Sequence, residues 1–128
     1  MKPETSTAIR ENVLRDPRYP VHRIADRLLP YLRVLVQQFR PYQVILFGSY
    51  AYGQPDEHGD VDLTIIKEMH QNPIQEATAI RRAFRPIRWT LGPLPFDLLV
   101  LDEEEHAERI RHSAGFYGES VARGLRLV

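Results

Sequence analysis

Along this chain, polar stretches alternate with short apolar runs, and the spacing inside those runs separates helix from strand. Ile24, Leu28, Leu32, Leu35 and Phe39 recur three or four positions apart, which predicts an amphipathic helix over residues 21–40. Pro30 falls inside that span and is expected to kink or divide it. A tighter rhythm governs Gln43–Phe47 (QVILF) and Phe96–Leu101 (FDLLVL), short apolar runs bounded by breakers that read as buried strands. In residues 60–66 (DVDLTII) alternation sends Val61, Leu63 and Ile65 to one face and Asp60, Asp62 and Thr64 to the other.

The remaining elements follow from caps and breakers. Residues 5–14 have the pattern of a short helix that Asp16-Pro17-Arg18-Tyr19-Pro20 must end, because each proline disfavours helix in the residue before it. Gly48 breaks the first strand, Ser49–Tyr52 reads as one helical turn, and residues 53–59 form a polar loop. Asn72-Pro73 opens a helix to about Phe84, with Arg81, Arg82 and Arg85 suiting its C-terminal dipole. Arg88-Trp89-Thr90-Leu91 reads as a short strand. Asp102-Glu103-Glu104-Glu105 has the form of a capping box; a further helix near residues 113–123 ends at Gly124, and residues 125–128 add an edge strand. The expected fold is α/β (α+β): a small mixed sheet with helices packed on one face and carboxylates on the exposed side. Residues 1–20 are expected to be a loosely attached N-terminal extension and residues 21–128 a single domain.

Composition narrows the function classes. At 128 residues the chain fits one domain with one active centre, and 43% hydrophobic with 27% charged residues excludes a wholly disordered or fibrous chain. Seventeen basic residues balance seventeen acidic ones, so no net field draws the protein to nucleic acid or an anionic membrane, and any polyanion must be bound locally. Cysteine is absent, which removes disulfides, thiolate metal sites and thiol nucleophiles. Residues 1–10 lack the apolar core of a signal peptide and no apolar run reaches membrane-spanning length, so a cytoplasmic location is expected.

The candidate chemistry lies in the carboxylates. Two residues apart on a strand, Asp60 and Asp62 are separated by about 7 Å at the backbone, near enough to grip one ion or two that share a ligand. Magnesium prefers such oxygen donors. With Asp97 as a third carboxylate on a neighbouring strand, the set matches a two-metal site that clamps the attacking and leaving oxygens of an in-line displacement. Gly48 lets backbone approach a phosphate closely, and Ser49 adds a hydroxyl at a helix start. The five histidines show no zinc-like spacing, and only His58, just before Asp60, lies where substrate could be touched. Arg81, Arg82, Arg85 and Arg88 read as a solvated helix end ahead of a triphosphate or acidic-partner contact. Tyr50 and Tyr52 suit either stacking on a base or packing against the sheet.

Leu46-Phe47-Gly48-Ser49-Tyr50-Ala51-Tyr52-Gly53, ten residues between Ser49 and Asp60, and then Asp60-Val61-Asp62-Leu63 resemble the minimal nucleotidyltransferase family of the polymerase-beta superfamily. The resemblance runs from about Gln43 to Leu101, and more loosely through the C-terminal segment to Gly124. It implies phosphate and nucleotide contacts at Gly48 and Ser49, and metal ligation and catalysis at Asp60, Asp62 and Asp97. It also implies Mg2+, two ions in all, with ATP as donor of a nucleoside monophosphate. One departure is Gly59, where relatives often carry serine. Small relatives are antitoxins paired with a HEPN-domain ribonuclease toxin, and such pairs can adenylylate a toxin tyrosine; that partner and role are expected here. Transfer to a small hydroxylated molecule, with a second subunit completing the acceptor pocket, and a non-catalytic neutralising module are the alternative readings.

Overall fold

The computed structural model describes residues 4–5, 8–55, 59–112 and 123–128. Its centre is a four-stranded mixed sheet built from β1 (Gln43–Phe47), β2 (Val61–Ile66), β3 (Phe96–Leu101) and β4 (Leu125–Arg126), in the order β3-β2-β1-β4. β1 runs antiparallel to both β2 and β4, whereas β2 and β3 are parallel. A parallel pair needs a crossover, and α4 (Pro73–Leu91) supplies it. The expected fold class is what is observed.

The expected alternation produces the core. Val44, Leu46, Val61, Leu63 and Ile65 are at most 1% exposed, and they meet Leu28, Leu32, Ile80 and Phe84 from the helices. Three aromatic rings join the layers. Tyr31 of α2 (Ala25–Val34) lies 4.8 Å from both Phe84 of α4 and Phe96 of β3, and those two lie 5.0 Å apart. Offset and edge-on rings at this spacing attract one another beyond the area they bury, by about 0.5–1.5 kcal/mol per pair.

Helix boundaries depart from expectation where proline is concerned. Pro30 does not divide the 21–40 segment: α2 runs through it, and the division falls elsewhere, into a 3₁₀ turn at Pro20–Ile24 and a π-helical turn at Leu35–Phe39. The short strand expected at residues 88–91 is instead the last turn of α4, which continues past Phe84 and through Pro86. Ile87 packs against the core beyond the proline and Thr90 Oγ1 donates to the Pro86 carbonyl at 2.8 Å, so packing outweighs the one backbone hydrogen bond that proline removes. The start of α4 is as expected. Asn72 Oδ1 accepts from the Gln75 N–H at 2.9 Å, and the Gln75 side chain returns the bond to the Asn72 N–H.

At the N-terminal side, the helix expected over residues 5–14 is confined to α1 (Glu11–Leu14). Leu14 is fully buried in the main core and the Arg10 N–H donates to the Leu127 carbonyl at 2.7 Å. α3 is the expected turn Ser49–Tyr52, and α5 (Glu103–His112) is capped by Asp102, whose Oδ1 accepts from the Glu105 N–H at 2.7 Å. The helix expected near residues 113–123 lies outside the described residues, apart from Arg123. No helix of the described residues is long and apolar enough to cross a membrane.

One buried ion pair went unanticipated. Lys67, directly after β2, and Glu76, in the first turns of α4, meet at 2.7 Å with side chains 4% and 3% exposed. Lys67 Nζ also donates to the Glu68 carbonyl at 2.7 Å, and the His70 N–H donates to Glu76 Oε1 at 2.9 Å. Burial pushes the Glu76 carboxyl up, but the Lys67 hydrogen bond and charge, with the His70 and Gln71 N–H groups, outweigh it and hold the carboxyl below its usual range. The folded carboxyl therefore binds its proton less tightly than the unfolded one, so its contribution to stability is complete above about pH 4.5 and is lost as pH falls through the lower folded value. Glu76→Gln, which strands a buried ammonium, is expected to cost roughly 3–5 kcal/mol in a urea titration at neutral pH, with a much smaller difference from wild type in strong acid.

Candidate active site

The carboxylates are arranged by register. β2 and β3 pair so that Asp62 stands directly beside Asp97, and β1 pairs so that Phe47 stands beside Asp62. In-register neighbours of a parallel pair point to the same face, about 4.8 Å apart at the backbone. The alternation that sends Val61, Leu63 and Ile65 into the core therefore turns Asp62 and Asp97 together to the opposite face. Asp60 precedes β2, which begins at Val61 and not at Asp60 as the pattern implied. It is exposed, as is Asp97, while Asp62 is half-buried.

These three charges sense one another. Burial pushes the Asp62 carboxyl above its usual range, and repulsion from Asp97 and then Asp60 adds to the rise. As they stand, no three acidic or histidine side chains among the described residues converge on a point that would hold an ion. An all-oxygen set of three carboxylates, one of them raised by burial and then by its neighbours' charge, is a donor set that fits a hard divalent cation.

Gly48 closes the other side. Its φ of 75° and ψ of −157° lie where only glycine is at ease, and a Cβ there would fall on Asp62 Oδ2 and within 3.2 Å of its Cγ. Glycine is thus required twice, by its own backbone and by the carboxylate beneath it. From Gly48 the chain turns into α3, where the Ala51 and Tyr52 N–H groups return to the Gly48 carbonyl at 3.0 and 3.2 Å. The first N–H groups of a helix have no partner within it, and the Ser49 hydroxyl makes no hydrogen bond among the described residues. This leaves donors at the end of β1 and carboxylates at the starts of β2 and β3, a division suited to a phosphate chain held over a metal-binding cluster.

Both expected tyrosines are otherwise engaged. Tyr50 is 8% exposed and belongs to the core, and the Tyr52 ring carries the Arg123 guanidinium at 4.1 Å from its centroid. His58 lies outside the described residues. Sequence reasoning passed over Arg27, which reaches from α2 to the Pro93 carbonyl at 2.7 Å, one helical turn from Tyr31, whose hydroxyl reaches the Gly92 carbonyl at 3.4 Å. The i, i+4 spacing of Arg27 and Tyr31 was the available signal, but it marks only a shared helix face.

Two outcomes are expected. Gly48→Ala should destabilise the fold by about 1–3 kcal/mol in a urea titration, the range for a side chain forced into that backbone region. Asp62→Asn removes a like charge beside Asp97 and should raise metal-free stability in thermal melts by about 0.2–1 kcal/mol while abolishing nucleotidyl transfer.

A family model described as a nucleotidyltransferase domain matches residues 27–115, a span that contains Gly48, Ser49, Asp60, Asp62 and Asp97. No curated protein matches the chain. Because the match covers more than half of its length and includes the Gly48-Ser49 turn and all three carboxylates, the chain belongs to the nucleotidyltransferase domain family.

Proposed function

We propose that the protein transfers AMP from ATP to a hydroxyl, and that the acceptor is a tyrosine of a HEPN-type toxin which the protein thereby neutralises. The observation that carries the transfer step is the placement of Asp62 beside Asp97 on one sheet face, under the Gly48 turn. The acceptor assignment is supported by the motif resemblance to minimal nucleotidyltransferases, whose small members pair with such toxins.

In this reading Gly48 and Ser49 hold the terminal phosphates. Asp60, Asp62 and Asp97 would hold Mg2+, which when bound offsets charge on the phosphate oxygens and acidifies the acceptor hydroxyl. Asp97, exposed on the edge strand β3, receives the hydroxyl proton. The acceptor oxygen then forms its bond to the α-phosphorus as the bond from that phosphorus to the bridging oxygen breaks, and pyrophosphate leaves. Asp62, between its neighbours and fixed by an internal strand, is the positioning centre for both halves.

The test is a transfer assay with α-labelled ATP, Mg2+ and the protein encoded beside this one. Label should appear on a tyrosine of that neighbour, fall by at least about a thousandfold with Asp60→Ala, and vanish with chelator. Wild type and Asp60→Ala behaving alike would overturn the assignment.

A further inference from the structure

The C-terminal half of α4 carries Arg81, Arg82, Arg85 and Arg88 with no exposed acid among them, since the one acid of the helix, Glu76, is buried against Lys67. Arg82, Arg85 and Arg88 make no ion pair among the described residues. Beside this helix lie two adjoining hollows of about 220 and 360 Å³. They share Arg88, Leu94 and Pro95. The smaller opens at Arg81 and Phe96, and the larger runs past Arg27 to Gly59. Phe96 and Gly59 each precede a candidate catalytic carboxylate, Asp97 and Asp60. The two hollows together form a cationic groove along the helix; Tyr50 lines it as well and none of Asp60, Asp62 and Asp97 does, so it stops one residue short of Asp60 and Asp97 in sequence.

We propose that this groove, walled by Arg27, Arg81 and Arg88 on one side and by Pro93, Leu94 and Pro95 on the other, seats an acidic polypeptide segment flanking the acceptor hydroxyl. The inference rests on the transfer reading and names its acceptor class more closely. Arg81 is fastened to the Phe96 carbonyl at 3.1 Å, on the β3 side, and the larger hollow also reaches Tyr50 of α3, so titration with ATP in parallel separates an acceptor from a donor. The opposed fields also set direction. Carboxylates on the acceptor are drawn to the arginines and repelled by Asp60, Asp62 and Asp97, so a neutral hydroxyl is the part presented to the cluster.

Tyr50, Phe84 and Phe96 also line the hollows, the two phenylalanines held against Tyr31 and each other at 4.8–5.0 Å. Single-stranded nucleic acid would bind by stacking on a free ring, and a charge-matched oligonucleotide tests that mode. At the same end of α4, Trp89 is 84% and Leu91 54% exposed, the apolar and aromatic component typical of a protein contact beside arginine.

The probe is a random glutamate–tyrosine copolymer, with binding to the full chain followed by fluorescence anisotropy and AMP transfer by label. Wild type should bind it with an affinity that falls as salt rises. Arg27→Glu and Arg88→Glu should each weaken binding roughly tenfold or more, while Arg88→Lys retains most of it and Arg33→Glu, on α2 but lining neither hollow, leaves it unchanged. Thermal melts identify any variant that fails to fold, and Arg88→Lys then stands as the informative comparison with Arg88→Gln. The inference is overturned if the reversals bind the copolymer as wild type does, or if they weaken ATP binding in parallel, which would give the arginines to the triphosphate. It is equally overturned if an oligonucleotide of matched charge with a free 3′-hydroxyl binds more tightly than the copolymer. Arginine-dependent copolymer binding without transfer to any hydroxyl would instead overturn the transfer reading and leave the groove as an acidic-peptide site.

Discussion

Two carboxylates held side by side on parallel strands are the constraint around which this molecule is organised. Asp62 and Asp97 share a register position, and burial and repulsion together raise the Asp62 carboxyl. Left to itself a sheet would not place like charges there, because directly opposed like charges destabilise it. The arrangement persists because the other face of the same strands is committed: Val61, Leu63 and Ile65 are buried among Leu28, Leu32, Ile80 and Phe84. Slipping β2 by one residue would relieve the carboxylates only by turning that whole apolar set to the opposite face. Register is thus set by the core and imposed on the site.

The far end of β2 is secured in a different way. Lys67 leaves the strand and closes on Glu76, which also accepts from the His70 N–H, so the connection from β2 to α4 is tied by charge-assisted bonds rather than by apolar contact. From that anchor α4 runs nineteen residues back along the sheet and delivers Arg81 to the Phe96 carbonyl, one residue before Asp97. The Tyr31, Phe84 and Phe96 rings lock α2, α4 and β3 at the same place. The strand that carries the third carboxylate is held on its edge by a helix whose start is fixed by the buried pair. Function and stability therefore share one route through the fold.

What was legible in the sequence follows from which forces are local. The strand runs 43–47 and 96–101 and the Asn72 cap depend on neighbours within a few residues, and they were read correctly. So was the alternation that buries Val61, Leu63 and Ile65, although the strand begins at Val61 and leaves Asp60 before it. The pairing of Asp62 with Asp97 was not legible, because register between β2 and β3 is decided by layers of core side chains 35 residues apart. Proline was misread for a related reason. The penalties at Pro30 and Pro86 are local and small beside the packing of Tyr31 and Ile87 that holds each helix on its course. Lys67 and Glu76 were invisible as partners, since each is an ordinary surface residue until the chain folds them together. Arg27 shows the same limit: its importance comes from the 92–95 loop it meets, not from its place in α2.

A chain with no net charge might be thought indifferent to charged ligands, yet here the balance conceals a separation. The carboxylates gather at the starts of β2 and β3, and Arg82, Arg85 and Arg88, which make no ion pair among the described residues, lie in the C-terminal half of α4. Over distances beyond about 8 Å at physiological salt the two fields are screened, so neither draws polyanions from afar. Within a few ångströms they are not, and a ligand entering the cleft meets a steep gradient from positive to negative. Such a gradient sorts ligands by where their charge lies relative to their reactive group, not by how much charge they carry. That is the selectivity the proposed transfer would need, admitting one hydroxyl to a cluster of carboxylates beside a polyanionic donor. It explains why overall composition said so little about this site and local spacing so much.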